Sequence, residues 1–133
     1  MGENFEKLVG LNKSVEVLPD ESTVWDEDEE MVNLHLVSTS GLLREINYVT
    51  GEFLNSFLGE DDISVVVYSE LSHLKPVVIG ERLIVGIRVS EVNENVITFK
   101  AIVMRENEKV AEASIKRAVV SRNYLKRKAI ERF

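Results

Sequence analysis

Between Thr39 and Leu58 the apolar residues Leu42, Leu43, Ile46, Val49, Phe53, Leu54, Phe57 and Leu58 recur at intervals of one, three and four. That spacing predicts a single helix about 30 Å long with one apolar stripe. Ser38 or Ser40 can cap its first turn, and Gly59 can end it. It is the only long helical pattern in the chain. Downstream the period drops to two. Ile63–Ser72, Arg82–Val92, Val96–Arg105 and Val110–Ser121 read as strands, the last three joined through Asn93-Glu94-Asn95 and Glu106-Asn107-Glu108. Lys13–Leu18 reads as a further short strand.

Turns this short between long strands impose antiparallel neighbours. A sheet must bury one face, and the helix is the only element able to cover it. The expected fold class is therefore α+β, a long central helix wrapped by a curved antiparallel β-sheet. At 133 residues the chain is expected to form one domain, with a core over residues 10–122 and a basic tail over residues 123–133. Exposed edge strands and a small core point to pairing of two copies, a homodimer, with a tetramer as the next assembly.

Composition narrows the function classes. There is no cysteine, which excludes a disulfide, a thiolate zinc site and a cysteine nucleophile. No apolar run approaches the ~20 residues of a membrane span. The first residues, Met1-Gly2-Glu3-Asn4-Phe5-Glu6-Lys7, lack the basic and apolar parts of an export signal, and Glu6 argues against myristoylation of Gly2. A cytoplasmic address is the expectation.

The net charge of −7 is unevenly spread. Residues 114–133 hold seven basic side chains against one acid, and the rest of the chain holds nine basic against 22 acidic. A basic end on an acidic body suits a small polyanion such as a phosphorylated cofactor, or else simple solvation. The acidic whole argues against nucleic acid as a partner. The acid run Asp26-Glu27-Asp28-Glu29-Glu30 after Trp25 reads as a solvated loop, and no metal site is expected there. Trp25 reads as a packing residue.

Two features bear on chemistry. Ser38-Thr39-Ser40-Gly41 opens the helix, where backbone N–H groups and the positive end of the dipole are free to meet an oxyanion. Thr39, Ser40 and Gly41 are the candidates for that role. Ser72-His73-Leu74-Lys75-Pro76 ends a strand, and His73 is placed to act as a base near neutral pH. His35 lacks such a context and reads as structural. Glu70 and Ser72 fall on the strand face opposite His73.

With these residues in place, the chain resembles the hotdog-fold thioesterases, and within them the fluoroacetyl-CoA thioesterase-like branch. The resemblance runs over roughly residues 10–122 and is strongest at His73-Leu74-Lys75-Pro76-Val77-Val78-Ile79-Gly80-Glu81. It implies the hotdog fold and an acyl-CoA substrate, with no cofactor besides the coenzyme A of that substrate. It also implies a site built from a threonine, a glutamate two turns on and a histidine. Thr39 and His73 take the outer positions, while Asn47 stands in the glutamate's place, where an amide can orient water but cannot accept its proton. Val66 stands where the branch has a glycine beside the fluorinated acyl group, and the aromatic lid ahead of the helix is missing. Fluoroacetyl-CoA is therefore not the expected substrate.

Arg117 coincides with an arginine of that branch, and Lys75, Lys116 and Arg122 join it as expected contacts for coenzyme A phosphates. The leading expectation is hydrolysis of a small or medium acyl-CoA thioester, with Thr39, Asn47 and His73 as the catalytic set. The alternatives are an acyl-CoA-binding protein without catalysis and, behind it, an enoyl-CoA hydratase or dehydratase, which wants a carboxylate beside the histidine.

Overall fold

A computed structural model describes residues 4–131. Residues 1–3, which begin the segment tested above for an export signal, and Arg132 of the basic tail lie outside that range. Five strands form one antiparallel sheet: β1 (Asn12–Val17), β2 (Asp62–His73), β3 (Leu83–Asn93), β4 (Val96–Arg105) and β5 (Glu108–Ser121). Their spatial order is β1-β3-β4-β5-β2, so β1 and β2 are the edges. The helix α1 (Thr39–Asn55) packs on one face, as hydrophobic periodicity requires.

Alternation along β3 sends Leu83, Val85, Ile87 and Val89 inward, where all are buried with Ile97, Phe99, Ile115 and Val119 of the neighbouring strands. Leu42, Ile46, Val49, Phe53 and Leu54 meet them from α1. Phe53 sets its ring edge-on to Phe99 at 5.9 Å between centroids. Burying each such side chain contributes about 1.5–3 kcal/mol, which offsets the entropy of ordering the sheet.

The helix is three residues shorter than its apolar pattern. It stops at Asn55 with Ser56 as its cap, and Phe57 and Leu58 turn back through hydrogen bonds to Leu54 and Asn55. Hydrophobicity thus continued past the backbone helix. The described part of the expected tail holds a second helix, α2 (Arg122–Ile130), capped by Ser121 Oγ accepting from the Tyr124 N–H. The β3–β4 and β4–β5 turns each need one left-handed residue, and Glu94 and Glu106 supply it at φ 57° and 55°.

Candidate active site

Ser38 sits in extended backbone before α1, and its Oγ accepts the Gly41 N–H at 2.9 Å. Ser38, of the two serines considered, is the cap. This corrects the role given to Gly41, because its N–H is already engaged and cannot meet an oxyanion. Gly41 has a packing reason instead: a Cβ there would lie 2.6 Å from the Thr23 Cβ. Thr23 in turn holds the strand entering the helix, its carbonyl accepting the Ser38 N–H at 2.8 Å. The N–H groups of Thr39 and Ser40, at the first two helical positions, have no acceptor within the helix.

Across from this turn, β2 delivers His73 at its last position, paired with Ala111 of β5. The His73 Nδ1 and the Thr39 Oγ1 are 2.8 Å apart, joining residues 34 positions apart in sequence. The two outer residues of the expected set are therefore in direct hydrogen-bond contact. Asn47 lies two turns along the same row of α1 as Thr39 and Leu43. Its Oδ1 and the His73 Nε2 are both buried, and neither has a hydrogen-bond partner among the described residues. Buried polar atoms left unpaired cost about 1–3 kcal/mol each, so these two atoms, on neighbouring elements, are the costly polar groups of the region. Thr39 itself is exposed and His73 half-buried.

The expected phosphate contacts scatter. Arg117 is a correction: it faces inward between Ile115 and Val119 and is only 8% exposed, away from any solvent-facing rim. Its Nε donates to Thr50 Oγ1 (3.0 Å), its Nη1 to Ser64 Oγ (3.0 Å) and the Ser64 carbonyl (3.3 Å), and its Nη2 to the Asn47 carbonyl (2.7 Å). Burial pulls this guanidinium below the ordinary arginine pKa. No ion pair to a carboxylate is present for it among the described residues, so its charge is met by dipoles alone. It ties the middle of α1 to β2 and so holds the backbone of Asn47.

Lys116 points to the opposite sheet face, with its Nζ 3.5 Å from Thr98 Oγ1. Lys75 faces Glu108 at 4.0 Å. Arg122 opens α2 and donates from Nε to the Glu60 carbonyl at 2.9 Å. Sequence reasoning passed over Thr50, Gly51 and Ser64, which form the Arg117 cradle. The signal was available in the inward register of Arg117 on β5 and in a glycine within a helix.

His35 closes a 3-10 turn in the left-handed region at φ 53° and pairs with Glu21 at 3.3 Å, a surface role. Trp25 donates from its ring to Glu27 at 3.1 Å. Among the described residues no cluster of three or more His, Asp or Glu side chains could hold a metal ion. Nor is any described helix long and apolar enough to cross a membrane.

Comparison with known proteins gives the same fold. A hot-dog-like protein from Thermanaerovibrio acidaminovorans is 27% identical and superposes with a TM-score of 0.89, covering 98% of each chain. A thioesterase superfamily member from Thermus thermophilus is 16% identical with a TM-score of 0.80, covering 93% of each. The fluoroacetyl-CoA thioesterase itself is 12% identical with a TM-score of 0.82 over 94% of this chain and 96% of its own. No curated protein sequence matches. The family model for the fluoroacetyl-CoA-specific thioesterase matches residues 19–123, which include the Thr39–His73 contact, and this hotdog chain belongs to that family.

Proposed function

We propose that this protein is an acyl-CoA thioesterase for a small or medium acyl group, acting as a homodimer paired through the free edge of β2. The observation that carries the reading is the Thr39–His73 hydrogen bond at 2.8 Å beside two buried, unpartnered atoms, His73 Nε2 and Asn47 Oδ1. One protonation pattern satisfies all of them. If Nδ1–H donates to Thr39 Oγ1, then Nε2 is a lone-pair acceptor, as Oδ1 always is. A water molecule has two protons to give, one to each.

Nε2 then takes the first proton as the water oxygen attacks the thioester carbonyl carbon. The Thr39 hydroxyl, its own proton now free to donate, and the N–H groups of Thr39 and Ser40 receive the negative oxygen. Collapse breaks the C–S bond, and the imidazolium returns its proton to the departing coenzyme A thiolate. Products are a carboxylic acid and free thiol, and no further reactant is needed.

For the dimer, the support is β2 itself. It is 12 residues long, unpaired on one side and carries exposed Val67 and Tyr68. A long apolar edge is a template for another strand. Val67→Lys should give monomers in sedimentation. An unchanged dimer would remove this edge as the interface.

A panel of acyl-CoA esters with thiol release as readout tests the activity. Thr39→Ala and His73→Ala should each lower kcat by about 10²–10⁴. One observation favours a second reading: position 47 is an amide, so the site has no carboxylate base. Esters that bind but survive intact would make this an acyl-CoA-binding protein.

A further inference from the structure

We infer that α2 of one subunit is the phosphate clamp for acyl-CoA bound in its partner's Thr39–His73 site, an inference resting on the dimeric thioesterase reading above. The helix is the starting anomaly. Its nine residues include Arg122, Lys126, Arg127 and Lys128, and none of its side chains is buried. An isolated helix this short is marginal in water, and most helices gain stability from burying a face, which α2 does not do among the described residues.

Its charges are also largely unspent. Lys128 meets Glu131 at 3.4 Å, and Arg122 is tied to the Glu60 carbonyl. Lys126 and Arg127 have no carboxylate partner among the described residues. By contrast, the cations expected around the site are occupied or misplaced: Lys75 faces Glu108, Lys116 lies on the far sheet face and Arg117 is buried. The five-acid run Asp26–Glu30 follows the segment whose Val24 bridges Val37 just ahead of α1. Coenzyme A phosphates entering there meet repulsion from the site's own chain.

Topology says which helix can answer that. Ser121, just before α2, pairs with Asp62 at the start of β2, whereas His73 is its last residue. At about 3.3 Å per residue those ends are ~36 Å apart, so α2 starts at the opposite end of β2 from the His73 of its own chain. A two-fold axis through the β2 edge that keeps both helices on one side makes the strands antiparallel and exchanges their ends. The Asp62 end of one copy, with its α2, then lies against the His73 end of the other. Cationic side chains meet anionic phosphates, and the clamp arrives from the partner.

The test uses the full chain with coenzyme A and pantetheine as probes in titration calorimetry. Lys126→Ala with Arg127→Ala keeps good helix formers in α2, and circular dichroism checks the fold. The variant should bind coenzyme A about tenfold or more weakly and pantetheine, which lacks the nucleotide phosphates, as the wild type does. Equal loss for both probes, or for neither, overturns the clamp. A coenzyme A affinity that is unchanged while the dimer loosens makes α2 a subunit contact and overturns it as well. If the wild type binds neither probe and hydrolyses no acyl-CoA, the thioesterase reading falls with it, a different result from wild-type binding that ignores α2.

Mixed dimers decide whether the clamp works across the interface. A wild-type chain paired with one carrying His73→Ala and both α2 changes should show a raised KM, since its live site faces the neutralised helix. A His73→Ala chain with intact α2, paired with an α2-neutralised chain, should keep the wild-type KM. The reverse pattern assigns α2 to its own subunit and refutes the exchange.

Discussion

Gly51→Ala should change sign with the residue at position 117. A Cβ at Gly51 would lie 2.9 Å from Arg117 Nη2 and 3.2 Å from Cζ, so the guanidinium must move. It is the far end of a flexible chain, but it is pinned by four hydrogen bonds to Thr50, Ser64 and Asn47. The bond at risk is the shortest, Nη2 to the Asn47 carbonyl at 2.7 Å. A hydrogen bond to a charged group contributes about 1.5–3 kcal/mol. Against this, alanine is about 0.8–1.0 kcal/mol better than glycine inside a helix. The loss wins, and Gly51→Ala should destabilise the native protein by about 1 kcal/mol.

In an Arg117→Leu background the obstacle is gone and only the helix gain remains, so the same change should stabilise by about 1 kcal/mol. The coupling is therefore about 2 kcal/mol, well above the few tenths expected of independent sites. Arg117→Leu alone should cost about 4 kcal/mol, because four acceptors lose a donor at about 1 kcal/mol each. Urea unfolding of the four proteins measures all of this, with unchanged m-values as the check on two-state behaviour. The same sign for Gly51→Ala in both backgrounds would refute the reasoning, since it would mean the guanidinium is not held against the helix.

Gly41→Ala should lower stability by about 1–3 kcal/mol in the same assay, because Thr23 already occupies the space, and an unmoved urea midpoint contradicts that packing. Asn47→Glu should raise the rate of thiol release by tenfold or more by restoring a carboxylate base; a fall shows that the amide is required. Glu108 is held below the ordinary glutamate range by its hydrogen bond to Arg105. Its folded-state value being depressed, the stability it contributes is full above the ordinary range and lost as pH falls through the lowered value. Glu108→Gln should flatten that acid limb, and an identical pH profile argues against the Arg105 contact.

The architecture was legible because β3 alternates over most of its length, the turns are short and the one long helix carries a continuous stripe. Strand ends moved by no more than two residues, as at Val110, where β5 instead begins at Glu108. Phe57 and Leu58 misled for a physical reason, since apolar residues bury equally well in a turn. The contact of Thr39 with His73 was anticipated through a resemblance, whereas spacing alone leaves a helix cap and a strand-end histidine. Arg117 was misread because its coincidence with an arginine of the resembled branch was weighed ahead of register. Its neighbours Ile115 and Val119 are fully buried, and strand alternation puts residue 117 on their face.

What remained hidden follows from where burial happens. Hydrophobic patterning encodes what a chain buries in itself, so it finds Leu42, Ile46 and Phe99 without a structure. Val67 and Tyr68 on β2 are exposed, Lys126 and Arg127 of α2 have no carboxylate partner among the described residues, and such positions leave only a faint mark on the periodicity. The same holds at the site, where Thr39 is exposed and the buried atoms Asn47 Oδ1 and His73 Nε2 have no partner among the described residues. A second subunit and a ligand would satisfy all three at once. That shared dependence ties the assembly to the chemistry: a change that frees the β2 edge should lower activity even though it touches neither Thr39 nor His73.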